Sequence, residues 1–332
     1  MRPGHIQRPA LVILRALGLG DFLAGVPAYR ALRAAYPEHE IVLAAPRALA
    51  PLAGLTGAVD RLLATAELRP VRWAGPAPEV AVDLHGNGPA SHDLVRVLGA
   101  ATTMMYASVR APLVTGPWWA DEEHEVDRWC RLVEWWGAPA DRGLLRLDHP
   151  AVRALAEGAV VVHPGAASGG RRWPPGRFAA VARALAAAGH QVVITGTASE
   201  RPLAWQVARS AGLGPAAVLA GRTGLAALAA LVAGATMVVS NDTGVAHLAV
   251  AYATPSVTLF GPVSPALWGP PEGDRRHIAL WTGHGSRPGD PHGDRVDPRL
   301  LQIEVGDVLR ATARLLRSPD PARPPQPAGQ PT

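Results

Sequence analysis

The residues able to do chemistry sit where apolar runs end. Near the N-terminus, LVILRALGLGDFLAGVPAYRALR (11–33) passes from an apolar strand through Gly18 and Gly20 to Asp21 at the start of a helix. A carboxylate there is favoured as an anion by the helix dipole and can act as a base, although an aspartate at a helix start is also an ordinary cap. In the second half, VVHPGAASGGRRWPPGRFAAVARAL (161–185) ends a strand in His-Pro-Gly and places Ser168, Arg171 and Arg172 ahead of another helix. Two guanidinium groups beside free backbone amides suit a phosphate or diphosphate, and a solvated turn accounts for the same residues equally well. VVSNDTGVAHLAVA (238–251) favours the first alternative. It delivers Asp242, Thr243 and Gly244 to a helix N-terminus at the same sheet edge, with His247 one turn further on the same face. Asp242 remains readable as a cap, and His247 as a structural histidine.

Positioning these groups requires a particular order of elements. Residues 10–14, 40–45, 80–84 and 102–107 are short apolar runs, separated by helical patterns near 21–35 and from about 89, with a tryptophan-rich helix over 121–137. Strand and helix alternating at this spacing imply parallel βαβ units. The same grammar restarts at 159–165 and continues through strands at 191–196, 216–221, 235–240, 256–261 and 276–281, with a last helix near 300–316. The expectation is an α/β protein of two Rossmann-like domains, 1–150 and 151–316, facing across a cleft, followed by a disordered proline-rich tail over 317–332.

Several functions are excluded by composition. All 32 basic residues are arginine, so a P-loop lysine is impossible. The dinucleotide fingerprint fails because Leu23 stands where a third glycine would follow Gly18 and Gly20, and the second strand ends in Ala-Pro without a ribose-binding acid. A net charge of +5 with scattered arginines gives no stripe for nucleic acid. The single Cys130 excludes an intrachain disulfide and points to a reducing, cytoplasmic setting. No apolar run is long enough to span a bilayer, which leaves peripheral contact with the inner face of a membrane as an option. His284 and His292 lie in HGSRPGDPHGD without a regular element to fix them, so no metal site is assigned.

Taken in order, HPGAASGGRRWPPGRF, GTASE, VVSNDTGVAHLAVA and LFGPVSPALWGPP resemble glycosyltransferase family 9, the family of the ADP-heptose lipopolysaccharide heptosyltransferases. The opening LGLGDFLAGVPAYRALR is similar to that family's N-terminal Gly-Asp motif, and the resemblance covers roughly residues 10–312. It implies the GT-B architecture, an inverting mechanism without a metal or other cofactor, a nucleotide-sugar donor such as ADP-heptose, and a glycan or lipid-linked acceptor. Residue by residue, it makes Asp21 the general base and Arg171 the group that stabilises the leaving diphosphate. Arg171 stands where the family has a lysine. Glu200 matches a ribose contact, Thr223 and Gly224 the seat of the base, and Asp242, Thr243 and Gly244 contacts to sugar and diphosphate, with Ser168, Arg172 and His247 on the same donor side. Gly20, His85 and Asn87 are expected toward the acceptor. Two other functions fit the same fold: an epimerase or hydrolase of nucleotide sugars, which needs a further carboxylate or histidine pair, and a non-catalytic nucleotide-sugar binding protein.

Overall fold

The computed structural model describes residues 8–284 and 289–317; the expected tail, apart from Arg317, lies outside the described residues. Strands β1 (Ala10–Leu14), β2 (Glu40–Ala45), β3 (Arg61–Ala64), β4 (Val80–Asp83) and β5 (Thr102–Met104) form a parallel sheet of order β3-β2-β1-β4-β5. Strands β6 (Val160–His163), β7 (Val192–Ile194), β8 (Met237–Asn241), β9 (Ser256–Leu259) and β10 (His277–Leu280) form a second, of order β10-β9-β8-β6-β7. Leu11 to Leu14 and Val160 to Val162 are completely or almost completely buried, as strands covered on both faces must be. The two Rossmann-like domains are those of the expected GT-B class.

In each sheet the strand order reverses next to the first strand, between β1 and β4 and between β6 and β8. Connections leave such a point toward opposite faces and open a crevice at the carboxyl ends of the strands. Asp21 and His85 follow β1 and β4, while Gly165 and Asp242 follow β6 and β8. Topology therefore brings the sequence motifs to the two crevices.

Three local features differ from the sequence reading. Residues 216–221 form no strand: a 3₁₀ turn at Pro215–Ala217 leads into a single bridge between Val218 and Ile194. The edge strand β3 was not anticipated, because its outer residues Arg61 and Ala64 are exposed and give no apolar run. The helix expected over 21–35 is two helices, Leu19–Ala24 and Val26–Ala35, broken at Gly25. Pro27, at the second position of the second helix, has no N–H with which to continue the first.

The domains join where helix Leu19–Ala24 meets helix Gly244–Ala251. A Cβ on Gly20 would stand 3.0 Å from His247 Cδ2, and one on Gly244 only 2.7 Å from Leu19 Cβ. Apolar packing runs without a break from Phe22 and Leu23 to Val245 and Leu248. Neither glycine needs a left-handed backbone, so both are required for space alone. Gly244→Ala is expected to wedge the helices apart and lower stability by about 1–3 kcal/mol, as overpacking does. Thermal unfolding of the variant, and of Gly244→Ala combined with Leu19→Ala, checks this: the second change should restore part of the loss.

Candidate active site

Arg15 follows β1 directly and is completely buried. Its Nε donates to the carbonyl of Asp21, its Nη1 to the carbonyl of Leu84, and its Nη2 to Glu125 Oε1 at 3.1 Å. The guanidinium also lies 4.7 Å from the ring centre of Trp129. Glu125 accepts further bonds from Arg128 and, at 2.7 Å, from Trp129 Nε1. Burial opposes ionisation of Glu125, but Arg15 and Arg128 outweigh it and hold the carboxyl below its ordinary range. Two buried cations thus share one buried anion, and the Asp21 carboxylate, 3.8 Å from Arg15 Nη2, supplies the second negative charge.

Asp21 is the third residue of its helix, and Gly18 occupies the N-cap position without a side-chain cap bond. The capping alternative for Asp21 is thereby removed. Gly18 has ordinary extended dihedrals, and a Cβ there would come to 3.4 Å from Asp21 Oδ2. The carboxylate is about a third exposed, open to the crevice on one side and facing Arg15 on the other.

His85 and Asn87 occupy the neighbouring loop after β4. His85 Nδ1 accepts from the Ala16 amide at 3.2 Å, and the Asn87 carbonyl accepts from Ser108 Oγ at 2.7 Å. Beneath them Asp83, which is completely buried, accepts from the His85 and Gly86 amides at 2.9 and 3.2 Å. Its Oδ2 has no hydrogen-bond partner and stands 3.7 Å from His92 Nε2. Burial raises Asp83 to about 6, against the bonds from Ser91, His85 and Gly86, and lowers His92 to about 4. No motif announced this pair, because an aspartate closing the run VAVD reads as a strand end.

On the other side of the cleft, Asn241 organises the donor-side loops. It is completely buried, accepts from the Trp173 amide at 3.0 Å, and donates to the carbonyls of Pro164 and Gly165 at 2.9 and 3.2 Å. Arg171 Nη2 bonds Asp242 Oδ2 at 2.9 Å, while Arg171 Nε and Thr243 Oγ1 are buried without a hydrogen-bond partner. Thr243 is the extended N-cap of helix Gly244–Ala251 and makes no side-chain cap bond. Arg172 instead turns back onto the Ala166 carbonyl at 2.9 and 2.7 Å and braces the loop. Ser168 Oγ donates to the carbonyl of Pro291 at 2.6 Å.

Glu200 lies beside β6: a Cβ on Gly165 would come to 2.1 Å from Glu200 Oε1, so only glycine leaves the carboxylate room. Its Oε2 accepts from the Thr197 amide and hydroxyl at 2.8 and 3.0 Å. The Gly221 amide bonds the Gly196 carbonyl at 3.0 Å and sets the loop carrying Thr223 and Gly224 alongside; Gly224 is the N-cap of helix Leu225–Ala233. His247 joins the two halves, with one edge against Gly20 and the ring of Trp268 at 5.7 Å. Burial lowers its pKa, although Asp242 and Asp21 both act to raise it. It also borders an 880 Å³ interdomain cavity, with Leu23, His124 and Trp268 among the lining, on a different face of helix Leu19–Ala24 from Asp21.

Asp83 yields a signed pH effect. Its folded pKa lies above its ordinary value of 3.8, so the native state holds a proton that the unfolded chain has lost between about pH 4 and 6. Stability from this group therefore falls as pH rises through that window. His92, lowered from 6.5 to about 4, acts in the opposite sense. Asp83→Asn is expected to gain about 3 kcal/mol on the wild type between pH 4 and 7, because it removes only the first contribution. Denaturant unfolding of both proteins across that range measures the difference.

Residues 119–287 match the glycosyltransferase family 9 (heptosyltransferase) model. A lipopolysaccharide heptosyltransferase 3 of Escherichia coli is 32% identical over 175 residues, covering 52% of this chain and 50% of the relative, so the match spans half that protein's length. A lipopolysaccharide heptosyltransferase 2 of Salmonella typhimurium is 26% identical over 92% of this chain and 98% of its own. Among solved structures, the E. coli ADP-heptose lipopolysaccharide heptosyltransferase II superimposes with a TM-score of 0.72 at 22% identity, covering 92% of this chain and 98% of that one.

Proposed function

Because the chain belongs to glycosyltransferase family 9, we propose that it transfers a sugar, heptose or a close relative, from a nucleotide-diphosphate donor such as ADP-heptose to a hydroxyl of a cell-envelope glycan or lipid-linked acceptor. The observation that carries this reading is the pairing of two unlike sites across one cleft. A carboxylate faces it from the β1/β4 crevice, and an arginine with an uncapped helix N-terminus from the β6/β8 crevice. The names of the relatives supply the sugar and the base.

In this mechanism the acceptor oxygen attacks the anomeric carbon as Asp21 takes its proton. The bond from that carbon to the diphosphate breaks, and its electron pair leaves on the diphosphate oxygen. Attack from the face opposite the leaving group inverts the anomeric centre. The charge that develops on the diphosphate meets Arg171 and the amides at the N-terminus of helix Gly244–Ala251, so no metal is required. Arg171 breaks or shares its bond to Asp242 when the donor enters, and Asp242 turns to the sugar hydroxyls. Glu200 takes the ribose diol, with the base at Thr223 and Gly224. Arg172 and Ser168 act through the loop they brace. His247, kept neutral by burial, sits at the seam between the donor side and Asp21. His85 and Asn87 form the acceptor wall.

Asp21→Asn is expected to lower kcat by about a thousandfold or more while the donor binds within about twofold of the wild-type affinity. Arg171→Ala is expected to weaken donor binding and reduce its dependence on salt. Nucleotide release with and without acceptor, in the presence of a chelator, together with calorimetric titration of the donor, checks both. Turnover that survives in Asp21→Asn, or that needs no acceptor, overturns the mechanism.

A further inference from the structure

The loop after β5 presents apolar side chains to solvent in a fixed conformation. Its base is the pairing of Ala107 with Trp118, closed by bonds from the Ala107 amide to Pro117 and from the Trp119 amide to Ala107 at 2.9 and 2.8 Å. Val114 is buried against the sheet, Ser108 is tied to the Asn87 carbonyl, and the backbone of Gly116 lies so close to the Met105 carbonyl that a Cβ would be 1.9 Å away. From this anchored base Val109 and Leu113 project 89% and 97% exposed, with Trp118 at 58%. A loop held this firmly and still leaving a valine and a leucine in water is not explained by packing.

A second loop, at the same carboxyl end of the sheet but after the opposite edge strand β3, repeats the pattern. Leu68 is half exposed and held at φ +47°, a left-handed backbone that leucine rarely adopts. Glu67 precedes it, and its charge acts on His85 of the loop after β4. Arg69 and Arg110, one on each loop, have no acidic partner among the described residues. Exposed apolar side chains interleaved with unpaired arginines complement the interface of an anionic bilayer: the apolar groups enter the acyl boundary and the guanidinium groups meet lipid phosphates.

We propose that the Val109–Leu113–Trp118 loop and the Leu68–Arg69 turn form a membrane-docking rim that seats the cleft on an anionic lipid surface. The proposal rests on the transferase reading only in supplying a reason for it, a lipid-linked acceptor. The rim adjoins His85 and Asn87, on the same sheet edge as Asp21, so docking brings the base toward hydroxyls presented at the bilayer surface.

The test is sedimentation of the full chain with vesicles of phosphatidylethanolamine and phosphatidylglycerol, and with vesicles of phosphatidylcholine alone, no donor being present. The wild type is expected to bind the anionic vesicles preferentially and to be released by salt. Val109→Ser combined with Leu113→Ser should weaken binding about tenfold or more, and Arg69→Gln combined with Arg110→Gln should flatten the salt dependence. Donor affinity, measured in the same variants, should not change and shows that each is folded. Wild type that ignores anionic vesicles, or serine variants that bind as the wild type does, overturns the proposal. Failure of the transferase reading is distinguishable: it abolishes turnover of a detergent-solubilised acceptor while vesicle binding stays intact.

Discussion

The buried guanidinium of Arg15 is the constraint around which the N-terminal half of the site is arranged. A cation without solvent must have every donor satisfied and a negative charge close by. Arg15 meets that demand by reaching the first helical turn, the strand-end carbonyl of Leu84 and the carboxylate of Glu125, three segments that are far apart in sequence. Because Glu125 is shared with Arg128, Asp21 supplies the second negative charge beside Arg15. The candidate base is therefore an element of the charge balance, and its position is fixed from below by its own backbone carbonyl.

The donor half uses a neutral organiser for the same geometric problem. Asn241 closes β8 and holds both the His-Pro-Gly turn after β6 and the Trp173 segment by three bonds. An amide suits this place because it both donates and accepts, and because it adds no charge beside Arg171 and Asp242. Each crevice thus has one buried polar side chain that ties the ends of strands adjacent at the switch point. One is charged and demands a counter-ion in the cleft; the other is neutral and adds no charge to the Arg171–Asp242 pair beside it.

Much of this arrangement was legible in the sequence, for identifiable reasons. Continuous apolar runs such as ALVIL and VVVH gave the buried parallel strands, and the motifs that end them placed Asp21 and Asp242 at helix starts beside the crevices. Arg15 and Asn241 were not legible, since a polar residue just past a buried strand is ordinarily solvated and only the three-dimensional neighbours reveal otherwise. The role of Gly20 was not legible for a related reason: its backbone is regular helix, and the missing side chain makes room for His247 from the other domain. Local patterns carry local conformation, whereas a clearance between domains leaves no local trace.

That clearance has a consequence for the reaction. With glycine on both helices, Asp21 and the N-terminus of helix Gly244–Ala251 stand on elements that pack closely together, with His247 against Gly20. The carboxylate and the arginine–aspartate pair are consequently held by elements in direct contact, and not by separate domains linked by a flexible strap. In the proposed reaction this contact sits between Asp21 and the Arg171–Asp242 pair, and a rotation about it displaces those groups less than the outer loops, which preserves the reacting geometry.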